Sequence, residues 1–119
     1  MKVGQYNIIA EDVIIEEGAE VGNFNVIASG TIIRKGAVVG NYCEIGENND
    51  IGENSIVQGR VRTAGGCLIE KNVTIKYGTI LTSKVWLKEG CFLGPHTITL
   101  GSTHQRVTKH GTTIGNNTY

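Results

Sequence analysis

All three histidines of the chain, His96, His104 and His110, fall within one stretch, FLGPHTITLGSTHQRVTKHGTTIG, residues 92–115. An imidazole with a pKa near neutrality can take a proton from an attacking amine or hydroxyl, and it is also the commonest protein ligand for zinc. Arg106 and Lys109 stand among them, cations able to hold phosphate oxygens. A zinc site needs its ligands to converge, yet His104 and His110 are six positions apart and His96 is only eight before His104. What this cluster can do depends on the scaffold that presents it.

The composition narrows the scaffold. The 119 residues suit a single domain, 1–119. Eleven lysines and arginines balance eleven aspartates and glutamates, so charge gives no reason to expect nucleic acid or an anionic membrane as partner. MKVGQYNIIAEDVIIEEG interrupts each short apolar run with a charge or an amide, unlike a signal peptide, and no apolar run approaches the length of a membrane span. A soluble, cytoplasmic protein is expected. Seventeen glycines against one proline are too many for an ordinary helical domain, and their spacing is not that of collagen.

The periodicity is six. Stepping from Val3 gives Ile9, Ile15, Val21, Ile27, Ile33, Val39, Ile45, Ile51 and Val57, then Thr63, then Ile69, Ile75, Leu81, Leu87 and Leu93. A second column, four residues after each aliphatic, holds small or β-branched residues or asparagine: Asn7, Val13, Ala19, Asn25, Thr31 and onward to Cys91 and Thr97. Residues two apart on a strand share a face, so the small residue and the next aliphatic point inward and the residue between them points outward. Glycine and asparagine suit corners that need positive φ. A period of six cannot hold a helical face in line, so a short strand and a turn in every hexad is expected. At Thr63 a hydroxyl bonded to a nearby carbonyl is expected.

This pattern resembles the hexapeptide-repeat family, whose fold is an all-β, left-handed parallel β-helix of triangular cross-section. The resemblance runs from residue 3 to about 98 and resumes at Ile114-Gly115-Asn116-Asn117-Thr118-Tyr119. It implies three hexads, or 18 residues, per coil. Residues 18 apart then stack. One outward face reads Ile14, Ile32, Asp50, Leu68, Trp86; a second reads Ile8, Val26, Glu44, Arg62, Ile80, Ile98; the third, Lys2, Glu20, Val38, Ile56, Thr74, Phe92, is mixed. Two adjacent apolar faces are more than a soluble monomer should expose, and their burial supports a homotrimer, the usual assembly of the family. Tyr6, Phe24 and Tyr42 share a corner column, with Arg60 next, and an aromatic ladder or a packed subunit edge is expected there. Cys43, Cys67 and Cys91 lie in the small inward column and are expected to be buried free thiols.

Leu93 to Ile114 is 21 residues, three more than a coil, so a loop near residues 100–113 is expected to project from the prism. The stretch CFLGPHTITLGSTHQRVTKHGTTIGNNTY resembles the corresponding region of hexapeptide acyltransferases, particularly those that acetylate nucleotide-linked sugars, where a Gly-Pro hexad precedes an excursion. The resemblance implies an acetyl-CoA donor, a small-molecule acceptor with a sugar-type amine or hydroxyl, and a site between subunits. In that reading His104 is the first candidate for the catalytic base, because an 18-residue step sets it beside Trp86, and His110 is the second. Arg106, Lys109 and His96 are candidates for substrate binding, and no metal is expected. Glycine-corner N–H groups are suited to stabilising an oxyanion. Acyltransferases of the family continue with more coils and a C-terminal cap, whereas Tyr119 falls inside a hexad, so a shortened, catalytically incomplete relative is part of the expectation. A non-enzymatic trimeric scaffold or binding protein is the alternative. The γ-type carbonic anhydrases, which hold zinc with three histidines, are a weaker resemblance through KHGTTIG, since the third histidine is misplaced.

Overall fold

The computed structural model describes residues 2–99 and the strand Thr113–Ile114. Every strand is two residues long, and the strands stack into three parallel sheets. The first face stacks Lys2–Val3, Glu20–Val21, Val38–Val39, Ile56–Val57, Thr74–Ile75 and Phe92–Leu93. The second stacks Ile8–Ile9, Val26–Ile27, Glu44–Ile45, Arg62–Thr63 and Ile80–Leu81, with Ile98 bridged to Ile80 above. The third stacks Ile14–Ile15, Ile32–Ile33, Asp50–Ile51, Leu68–Ile69, Trp86–Leu87 and Thr113–Ile114. From Lys2 to Leu93 the partners are 18 apart, as in Lys2 with Glu20 and Leu68 with Trp86. The protein is therefore a β-solenoid of about five turns, the left-handed β-helix class expected from the hexads.

The second residue of each strand faces inward and fills the prism. Ile33, Ile51, Val57, Ile69, Ile75 and Leu87 are fully buried. Burial fails only where no coil lies beneath. Val3, expected inside, is 44% exposed, because it sits on the first coil of the stack.

The inward column of small residues does more than fill space. Asn25 donates from Nδ2 to the Gly40 carbonyl at 2.8 Å and accepts the Cys43 N–H at 2.8 Å. Ser55 donates to the Glu70 carbonyl at 2.8 Å and accepts the Val73 N–H at 3.0 Å. The same two bonds recur at Asn7 and Thr31, each serving one backbone carbonyl and one backbone N–H of the next coil, whereas Asn49 keeps the N–H bond to the next coil and donates to the Gly46 carbonyl of its own. Thr63 corrects the expectation made for it. Its oxygen accepts from Asn49 Nδ2 at 2.8 Å and from the Gly46 N–H at 3.2 Å. The asparagine across the prism brings a donor to it, so the hydroxyl oxygen serves as an acceptor.

Cys43 and Cys67 follow the carbonyl half of this rule, donating to Gln58 O at 3.1 Å and Thr82 O at 3.2 Å. All three cysteines are buried thiols outside any disulfide, as expected, and burial pushes the Cys43 and Cys67 thiols above the ordinary range. Thiolate is the reactive form. Ellman's reagent near pH 8 should therefore label none of the three in the folded protein over minutes and all three in denaturant. Fast labelling of native protein would contradict this packing.

The corners carry left-handed backbone. In the column between the first and second faces Tyr6, Phe24, Tyr42, Arg60, Gly78 and His96 all have φ between 58° and 75°. Four of these side chains form the expected ladder. Tyr6 and Phe24 stack at 5.0 Å, Phe24 and Tyr42 at 5.0 Å, and the Arg60 guanidinium lies 4.9 Å from the Tyr42 centroid. Bulky side chains in this conformation carry strain of about 1 kcal/mol or more each, which the π contacts between coils offset in part.

Candidate functional site

The regular register ends at the top of the stack. Thr113–Ile114 pairs with Trp86–Leu87, so 27 positions separate partners that elsewhere are 18 apart, and the extra length is nine residues. The expected surplus of three measured Ile114 against Leu93, which lies on a different face. Ile114 continues the Leu87 column, and Thr113, placed in the expected loop, belongs to a strand. The place beside Trp86 that the 18-residue step gave to His104 is occupied by Thr113.

His104, Arg106, Lys109 and His110 lie outside the described residues. They fall in sequence between Thr99, which closes the second face, and Thr113, which resumes the third. The described side of this junction is well ordered chemically. The Thr99 hydroxyl oxygen accepts the Thr82 N–H at 3.0 Å and lies 3.1 Å from the Thr82 hydroxyl. Trp86 donates its indole N–H to Glu70 Oε2 at 2.6 Å, while Glu70 Oε1 accepts the Glu89 N–H at 2.9 Å. Lys88 Nζ sits 4.8 Å from the Trp86 ring. Glu70 thus fixes both the indole and the corner that follows it.

His96 is on another corner, between the first and second faces. Its N–H donates to the Tyr77 carbonyl at 2.9 Å, and its ring meets Tyr77 edge-on at 5.7 Å. The imidazole lies over Gly78, where an added Cβ would press on the ring. This is a turn position locked onto the coil below, with an exposed imidazole. Among the described residues no three histidine, cysteine or acidic side chains converge on a point that could hold a metal. The zinc reading draws on His104 and His110, outside those residues.

The outward faces are as the 18-residue register predicts. Ile8, Ile14 and Ile98 are exposed. On the third face Arg34 makes two bonds to Asp50, Nε to Oδ1 at 3.0 Å and Nη2 to Oδ2 at 2.8 Å, and reaches Glu16 at 3.4 Å. On the second face Glu44 and Arg62 lie 3.7 Å apart. Sequence reading named both faces but not the pairing of Asp50 with Arg34, which comes from the corner one coil below. No helix among the described residues is long and apolar enough to cross a membrane.

No family model matches the sequence, and no curated protein sequence matches it. Among solved structures the chain is similar to a UDP-N-acetylglucosamine acyltransferase of Francisella novicida, at 15% identity and a TM-score of 0.40. The match covers 78% of this chain and 54% of that one, so it spans about half the length of that protein. The fold rests on the chain's own hexads, inward aliphatic columns and three stacked sheets. By these the chain is a left-handed β-helix built from six-residue repeats.

Proposed function

We propose that this protein transfers an acyl group from an acyl-CoA donor, acetyl-CoA in the simplest case, to an amine or hydroxyl of a sugar-type acceptor. The observation that supports this most is the one break in register among the described strands. Nine residues beyond one coil separate Leu87 from its partner Ile114, and the stretch between carries His104, Arg106, Lys109 and His110. Excursions from a rigid solenoid are where binding and chemistry concentrate, and this one follows the Gly94-Pro95 hexad that resembles the acyltransferases. An acceptor attacking a thioester carbonyl must lose a proton, which a neutral imidazole can take. Arg106 and Lys109 would hold coenzyme or substrate phosphates, with His96 contributing to substrate binding. The three buried thiols suit a reducing, cytoplasmic compartment. The reading brings with it the homotrimer expected from the apolar faces, in which the second face of one copy meets the third face of the next.

Calorimetric titration with acetyl-CoA tests the proposal. Saturable binding that weakens as salt rises is expected. Absence of binding would leave a scaffold without a donor site. Stoichiometric zinc with carbon dioxide hydration would transfer the histidines to the anhydrase reading.

A further inference from the structure

The charges on the two facing surfaces of the trimer decide the level at which its copies meet. A three-fold axis parallel to the solenoid changes no height, so each coil of the second face meets the same coil of the third face on the next copy. Ile8 then meets Ile14, Val26 meets Ile32 and Ile80 meets Trp86. In the middle coils the second face carries Glu44 and Arg62, and the third face carries Asp50 with Arg34 drawn across to it. We propose that in the trimer Glu44 of one copy accepts from Arg34 of the next, an ionic seam that sets the level at which the copies pack.

The side chains are placed for it. With a rise of ~4.8 Å per coil, Glu44 stands about 3 Å above the backbone of Arg34 and about 2 Å below that of Asp50. It is therefore level with the guanidinium that reaches from one to the other. Arg34 bonds Asp50 through Nε at 3.0 Å and Nη2 at 2.8 Å, and Glu16 through Nη1 at 3.4 Å, and a guanidinium has a further N–H on each Nη atom. Its side chain is 37% exposed and that of Glu44 is 61% exposed. Glu44 lies 3.7 Å from Arg62, which leaves carboxylate lone pairs for a second donor. A shallow groove of about 220 Å³, lined by Ala28 and Gly46, runs beside Glu44 and Arg62 and gives room to a side chain arriving from across the interface.

Charge then alternates across the seam, from Arg62 to Glu44 and on to Arg34 and Asp50 of the next copy. Without Arg34, Glu44 and Asp50 would meet as two carboxylates. The guanidinium between them turns that repulsion into a bridge. The seam also resists slippage. Moving one face by a coil would set Glu44 against Ile32 or Leu68, and a shift repeated around three copies gives an open screw in place of a closed ring. Ion pairs taken out of water contribute specificity more than affinity. The apolar rungs on either side therefore supply the association, and the seam supplies its register. This inference rests on the homotrimer of the reading above and is independent of acyl transfer.

Sedimentation of the full chain over a concentration series should show a species of three times the monomer mass. Glu44→Arg sets guanidinium against guanidinium at every interface and should lower the trimer association constant at least about a hundredfold. The position is on the outside, so circular dichroism should be unchanged. Glu20→Arg, the same change on the first face, should leave the trimer intact. Glu44→Gln and Arg34→Gln should each weaken it, and the double variant should weaken it by less than the product of the two single effects. The loss of Asp50's partner is common to the Arg34→Gln single and double variants, so it cancels from that comparison. Glu44 and Asp50-bound Arg34 serve different faces of one chain, so the coupling reports contact between copies. A parent that stays monomeric, or that forms a species of twice the monomer mass, would overturn the trimer and the seam with it. A trimeric parent that tolerates Glu44→Arg, falls equally with Glu20→Arg, or shows independent effects of the two glutamines would overturn the seam and leave the trimer standing.

Discussion

Replacing Asn49 with leucine should lower the stability of the solenoid by about 2–4 kcal/mol, read as a fall in the urea midpoint. Asn49 is buried, and its amide joins three elements. Nδ2 donates to Gly46 O at 2.9 Å and to the Thr63 hydroxyl at 2.8 Å, and Oδ1 accepts the Cys67 N–H at 2.7 Å. Leucine is close in size and apolar, so a view of this column as filler predicts no loss or a gain. The hydrogen bonds predict a loss, because about 1 kcal/mol goes with each bond and more with a buried donor left alone. A fallback sets the upper limit. Where the coil below offers alanine or valine, the N–H at this position turns to the carbonyl three residues earlier, as Ala37 above Ala19 does to Arg34 and Cys91 above Val73 does to Lys88. Cys67 could do the same, which keeps the loss below that of a fully orphaned amide. Asn49→Thr should cost no more than about 1 kcal/mol, since Thr31 in the same column donates to Gly46 O at 2.8 Å and accepts the Asn49 N–H at 3.3 Å. A leucine variant within 0.5 kcal/mol of the parent, about the ordinary surface effect, would return the column to mere filler.

The contrast shows which parts of the structure a sequence can carry. The hexads placed every strand from Lys2 to Leu93, because an inward aliphatic at a fixed interval leaves one solution for a chain that must bury it. The three faces and the aromatic corner followed from the same 18-residue register, and so did burial of the thiols. The polar function of the small column was not legible. Alanine, valine, asparagine and cysteine all satisfy the size limit, and only the coordinates reveal which backbone carbonyls and N–H groups the polar ones serve. The bond between Asp50 and Arg34 was hidden for a related reason: it joins a face to a corner, and corner side chains have no fixed direction in the repeat. At the excursion the register itself failed as a guide. An interval of 18 says where Trp86 finds its neighbour only while the coil is uninterrupted, so Thr113 and not His104 takes that place.

That correction shapes the second large effect. Under the transferase proposal one of His104 and His110 is the general base, and its replacement by alanine should lower the turnover number by roughly 10²–10⁴-fold. The positional reason for preferring His104 was its step from Trp86, which no longer holds, so the two variants must be measured together. The base acts on the proton of the acceptor during attack. Its loss should therefore fall on kcat while the KM for the acyl donor changes little. The sign of the pH dependence follows from the chemistry: an imidazolium cannot accept a proton, so the parent rate should rise with pH through an ionisation near about 6.5 and level off above it. In the variant lacking the base that limb should vanish, and the residual rate should follow hydroxide or the acceptor's own ionisation. The other histidine variant should keep the limb and lose no more than a few-fold. Arg106→Ala and Lys109→Ala, acting on phosphates, should instead raise KM for the donor with the pH limb intact. Two histidine variants that both retain the parent rate and limb would remove both from proton transfer, and leave the excursion to substrate binding.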